Sequence, residues 1–93
     1  LNIDFSTGNN FAITLGTNAT LAGAVNGKIG QSGTITITQD GTGSRTLSLG
    51  TDYETAGGAG LTLSSAASTT DIVPYVVAAS GRILLGAPQL AFA

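Results

Sequence analysis

The 93-residue chain has no cysteine, histidine, methionine or tryptophan. Without cysteine there is no disulfide and no thiolate metal site. Without histidine the commonest nitrogen ligand is missing, and so is the base of a Ser–His–Asp unit. Charge is scarce too. Lys28, Arg45, Arg82, Asp4, Asp40, Asp52, Glu54 and Asp71 make 9% of the chain, where about 25% is ordinary. Three scattered cations do not form the clustered positive surface that phosphate backbones require, so no nucleic acid is expected as a partner. The longest apolar run, Ile72–Ala79, contains Pro74 and falls far short of the roughly 20 residues of a spanning helix. Neither membrane insertion nor a signal peptide is expected. The chain opens on Leu1 rather than Met, which reads as a processed chain or a fragment.

A chain this short is marginal alone. With disulfides and the usual metal sites excluded, assembly with other chains is the remedy left. A surface so poor in charge does not repel copies of itself. Self-association is therefore expected, with solubility carried by Thr, Ser, Asn and the backbone.

What is present is strand and turn. Fourteen Gly and fourteen Thr interrupt any helical stripe. "NIDFS" alternates with Ile3 and Phe5 on one face, and "FAITLG" does so with Phe11, Ile13 and Leu15. "TGNN" and "GTNAT" are turn chemistry, and "ATLA" completes an expected three-strand opening with short connections. "AVNGKIGQSG" reads as a loop holding an Asn26-Gly27 turn. "TITITQDGTGSRTLSLG" reads as a hairpin. Pairing Ile37 with Leu47 sets Gln39 opposite Arg45 and Asp40 opposite Ser44, leaving the loop Gly41-Thr42-Gly43. Gly43 suits the left-handed end of such a loop, and Asp40 can bond its amides. Gln39, Asp40, Gly41, Gly43, Ser44 and Arg45 are thus the structural hairpin residues. Tyr53 anchors the loop "TDYETAGGAG", "LTLSS" is a short strand, and "AASTT" a polar connector. "DIVPYVVAAS" is a buried strand with an edge or bulge at Pro74. Ser80-Gly81 turns the chain into "RILLG", and "APQLAFA" ends it as an edge piece.

About eight short strands at roughly ten-residue spacing predict an all-β fold: one antiparallel β-sandwich or jelly-roll-like barrel spanning residues 1–93. "GTNAT", "GQSGT" and "GTGSRT" share turn chemistry but no repeat period.

Reactive chemistry is thin. A Ser–Lys pair would need Lys28, in a loop. Glycoside hydrolysis needs two carboxylates held across a sugar; Asp52 and Glu54 share a face if their segment is extended, but a solvated loop is the plainer reading. Asp4, Asp40, Asp52 and Asp71 could converge on Ca²⁺, with turn capping as the alternative. "GTGS" and "GGAG" lack the strand–helix context and Lys of a phosphate cradle. "NAT" (Asn18–Thr20) fits a glycosylation triplet that arises often by chance. No enzyme activity, metal or cofactor is expected. Tyr53 and Tyr75 are the candidate surface contacts, because Phe5 and Phe11 sit in phase with core positions.

At Gly30–Tyr53 the sequence resembles a small β-rich module of tailed-bacteriophage virion proteins, described as tail-fibre, minor structural or head-decoration domains. The likeness rests on Gly30-Gln31-Ser32-Gly33, Thr38-Gln39-Asp40, Thr42-Gly43-Ser44-Arg45-Thr46-Leu47, Gly50 and Tyr53. "NFAITLGTNATLA" and "GGAGLTLSSAASTTDIVPYVVAASGRI" extend it to most of the chain. It departs at Thr51–Gly60, where Asp52 and Glu54 stand in place of the module's Lys and aromatic. The resemblance implies a non-enzymatic structural role at the virion surface, usually as a homotrimer, with other virion proteins as partners. It does not choose between capsid decoration (cement) and a tail fibre. The alternatives are an adhesion domain at a fibre tip that binds a receptor or host-surface glycan, and an extracellular filament subunit.

Overall fold

The computed structural model describes all residues, 1–93. Alternating sequence becomes strand, as expected. The strands are β1 (Asn2–Asp4), β2 (Asn10–Leu15), β3 (Ala19–Leu21), β4 (Gly23–Val25), β5 (Ser32–Gln39), β6 (Leu47–Leu49), β7 (Tyr53–Thr55), β8 (Thr70–Ala79), β9 (Arg82–Leu85) and β10 (Gln89–Phe92). Two single 3-10 turns, Phe5–Thr7 and Ala56–Gly58, are the only helical pieces.

The pairing is not the antiparallel sandwich or jelly roll expected. β1 pairs with β4, β2 with β5 and β3 with β6, all parallel. Residues 1–22 therefore form one three-sided coil, and residues 23–50 form a second coil stacked beneath it. The turn-rich segments bend the chain around corners instead of reversing it. A parallel partner must lie a dozen or more residues away, and here it lies one full coil away. Asn2 meets Gly23, Asn10 meets Thr34 and Ala19 meets Leu47, separations of 21, 24 and 28 residues. The separation drifts, so the sequence shows no period. Yet "GTNAT" and "GTGSRT" occupy matching corners, and the Asn18 side chain accepts the Thr46 amide at 3.0 Å.

The rest of the chain closes the second coil. β8 lies antiparallel on β5, with Ile35 opposite Val73. β9 returns from β8 through Ser80-Gly81 in the one expected hairpin that forms, with Gly81 at φ +71°. β7 pairs in parallel with β9, so the main sheet runs β2-β5-β8-β9-β7, with β10 also on β8. Pro74 is neither at an edge nor at a bulge. Its carbonyl accepts from Gly86, just past β9, while β10 resumes on the same side at Ile72. Its missing N–H thus falls in the gap between two partner strands. "LTLSS" (Leu61–Ser65) is not a strand, and "AVNGKIGQSG" contains the end of β4 and the start of β5.

The hairpin expected at Thr34–Gly50 does not form. β5 is paired on both sides, by β2 and β8, so no edge remains for β6, which pairs with β3.

One core fills the coil. Ile3, Phe5, Leu15 and Leu21 of the first coil meet Ile35, Ile37 and Leu47 of the second, and Tyr53, Val73, Tyr75, Val77, Ile83 and Leu85 complete the cluster. Phe5 packs edge-on against Phe11 and Tyr75, each with ring centres 5.1 Å away.

Close stacking leaves no room at Gly33, where a Cβ would overlap the Asn9 carbonyl oxygen of the coil above. Gly33→Ala is expected to lower stability by about 1–3 kcal/mol, because backbone opposes it. Gly16→Ala, with nothing near its Cβ, is the control. Equal melting temperatures for the two variants would refute the tight stacking.

Candidate functional site

Each sequence-flagged residue has a definite place. At the Gln39–Arg45 corner, side chains do what a hairpin ladder would have done. Gln39 is 3% exposed. Its Nε2 donates to the carbonyls of Arg45 (2.8 Å) and Ser64 (3.0 Å), and its Oε1 accepts the Arg45 amide (3.0 Å). Gln39 and Arg45 are thus opposite, through a side chain. Asp40 Oδ1 accepts the Thr42 and Gly43 amides, both at 3.0 Å. The Arg45 guanidinium reaches Asp40 Oδ2 at 3.1 Å. Gly43 has φ +74°, and Ser44 follows at +57° with its amide on the Ser65 carbonyl at 2.7 Å. Gly41 has open space around it. The corner is a clamp on residues 64–69 and presents no reactive group.

Tyr53 and Tyr75 are not surface contacts. They are 5% and 4% exposed, because each ring fills the core while its hydroxyl finds a backbone acceptor. Tyr53 donates to the Gly23 carbonyl at 2.9 Å and Tyr75 to the Asn9 carbonyl at 2.7 Å. Burial, aided by the Asp52 charge, pushes the Tyr53 hydroxyl up to about 12. Burial also raises Tyr75, against a hydrogen bond with Gln31 that lowers it.

The carboxylates disperse to separate corners. Asp4 caps the first 3-10 turn through the Ser6 amide and hydroxyl (3.0 and 2.6 Å) and also accepts from Asn26 (3.0 Å). Asp52 accepts the Ala24 amide at 2.9 Å, and Glu54 pairs with Arg82 at 2.6 Å. Asp71, 2% exposed, accepts from the Ser64 amide and hydroxyl and from the Ala91 amide. They do not gather: no group of three acidic residues is placed to hold a metal ion.

Two surface features bear on function. One is a cleft of about 440 Å³ lined by Phe5, Ser6, Gly8, Asn9, Asn26, Lys28 and Gln31. Lys28 makes no ion pair there. The other is the outer face of the main sheet. Its register sets Ala12, Thr36 and Ile72 in one row, Asn10, Thr34 and Pro74 in the next, and Ser32, Val76 and Leu84 beyond. None of these residues is charged, although the last row runs on from Leu84 to Glu54 of β7, and Ala12, Pro74 and Val76 are exposed. Single-strand reading found the Thr34, Thr36 and Thr38 side of this face but not its neighbours, because their adjacency depends on pairing.

Residues 4–82 match the family described as "Putative phage tail fibre C-terminal domain". The chain belongs to this family. As a tail fibre domain it is a component of the virion, in line with the resemblance noted at Gly30–Tyr53. The family gives no support to capsid decoration or to a cellular filament. Neither the curated proteins nor the solved structures contain a match to the chain.

Valine at position 43 meets two obstacles: φ +74° and a Cβ site 2.7 Å from the Ser65 carbonyl oxygen. Gly43→Val is expected to cost more than about 2 kcal/mol. Unchanged thermal or denaturant unfolding would contradict the clamp.

Acid should loosen the same corners. The Asp40 carboxyl lies below the ordinary 3.8 because of its Arg45 and Gly43 hydrogen bonds. Asp4 lies below it because of Ser6 and Asn26. A lowered folded-state value stabilises above the unfolded value, and that contribution is lost as pH falls through the folded value. Stability is therefore expected to stay level down to about pH 4 and to decline below it. Asp40→Asn should lessen the decline, modestly because the carboxyl reaches solvent. An identical acid profile in wild type and variant would exclude Asp40 as a contributor.

Proposed function

We propose that this tail fibre domain acts by packing against copies of itself, through the outer face of its six-stranded sheet. The uncharged rows around Thr36, Pro74 and Val76 carry the reading. Charges are depleted at the centres of protein interfaces, and a face without them brings no repulsion between copies. The two ion pairs lie at the ends of this sheet, Glu54–Arg82 at β7–β9 and Asp40–Arg45 just past β5. A homotrimer is the assembly that the resemblance implies, with other virion proteins as further partners. The role is structural, without catalysis.

A second reading is recognition of a receptor or host-surface glycan. The cleft at Asn9, Asn26, Lys28 and Gln31 favours it, since amides and a free ammonium suit sugar hydroxyls or acidic sugars.

Sedimentation analysis of the purified chain tests the first reading. Wild type should sediment as a trimer, and Thr36→Lys with Val76→Lys as a folded monomer. A wild-type monomer, or a double variant that assembles normally, would refute it. Binding to host cells or glycans that is lost in Lys28→Ala while assembly persists would favour the second.

A further inference from the structure

The coil stack is covered on two of its three sides at one end and is open at the other. Below the second coil, β8 covers β5, and Asp52 and the Tyr53 hydroxyl bond the Ala24 amide and Gly23 carbonyl at β4. Above the first coil, β2 has no partner on its outer side. The Leu15 carbonyl accepts from Asp40 and so points to β5. Backbone direction alternates along a strand, so Ala12 and Thr14 turn their N–H and C=O groups to the open side. An uncharged edge of this kind is a template for another strand, and natural edges are usually blunted by charge or proline. Residues 10–15 carry neither.

Leu1 shows how the adjoining edge, that of β3, is used. Its nitrogen donates to the Thr20 carbonyl at 2.8 Å, and its carbonyl accepts the Ala22 amide at 2.7 Å. These two bonds flank Leu21 and make a parallel bridge on the free side of β3. One coil further on, the Leu21 carbonyl accepts the Gly50 amide at 2.8 Å in the same manner. Leu1, Leu21 and Leu49 thus occupy equivalent positions in three successive layers.

We infer that the open edge of β2 and β3 is a docking site for one further coil of polypeptide, running parallel and entering Leu1 from its N-terminal side. The domain is then the closing end of a longer stacked coil. This is independent of self-packing through the sheet face, because the edge points along the coil axis and the face points sideways.

The test compares amide hydrogen exchange in the 93-residue chain with that in a chain carrying a second copy of residues 1–22 fused ahead of Leu1. The Ala12 and Thr14 amides should exchange at least about tenfold more slowly in the fused chain, at any protein concentration. Equal exchange in the two chains would overturn the inference. So would protection in the 93-residue chain that grows with concentration, since the occupant would then be a second copy. Thr14→Pro gives a second readout. Proline is tolerated where an edge N–H faces outward, so it should lower the melting temperature of the fused chain more than that of the shorter one. Equal losses would count against the inference.

Discussion

Parallel stacking of one coil on the next is the constraint on which the rest of this molecule depends. Three strand pairs hold the same order and direction on three sides. Asn10, at the start of β2, and Asn18, at a corner, bond the Thr34 and Thr46 amides of the lower coil, so side chains extend the stacking beyond the strand ladders. Gly33 lets the backbones approach. With the two coils in register, Ile3, Phe5, Leu15 and Leu21 point inward over Ile35, Ile37 and Leu47. The core exists because the register exists. A slip of one residue would turn those side chains outward.

The same constraint explains the idle chemistry of the charged residues. Corners of a coil leave backbone groups without ladder partners, and buried ones must be satisfied. Gln39, Asp4, Asp40, Asp52 and Asp71 supply those bonds, and no buried side-chain polar atom lacks a partner. Arg45 and Arg82 are held by Asp40 and Glu54. Lys28 alone among the charged side chains has no such role. Most of the few charges are thus committed to the chain's own backbone or to one another.

That leaves two directions of contact that suit a fibre. The outer face of the main sheet, lined by threonine, isoleucine, proline and valine, offers lateral packing. The edge above Ala12 and Thr14 offers growth along the coil axis. At the opposite end the antiparallel β8 takes the place beside β5 that a third parallel coil would fill.

Local chemistry was written plainly in the sequence. Alternation at "FAITLG" and "TITIT" specified strands and their buried faces, because side-chain direction depends only on the period of two. Ser80-Gly81 specified its hairpin, because a two-residue turn leaves the chain no other partner. Asp40 and Gly43 announced their turn, and the motif from Gly30 to Tyr53 announced a phage virion family. Which strands pair was decided only in three dimensions. "GTNAT" and "GTGSRT" have the composition of hairpin loops and act as coil corners. The parallel partner lies one coil away, and the spacing drifts from 21 to 28 residues. Tyr53 and Tyr75 looked like surface aromatics until the coils closed over them. Turn composition says that a chain bends. The distant backbone that satisfies its amides decides how far.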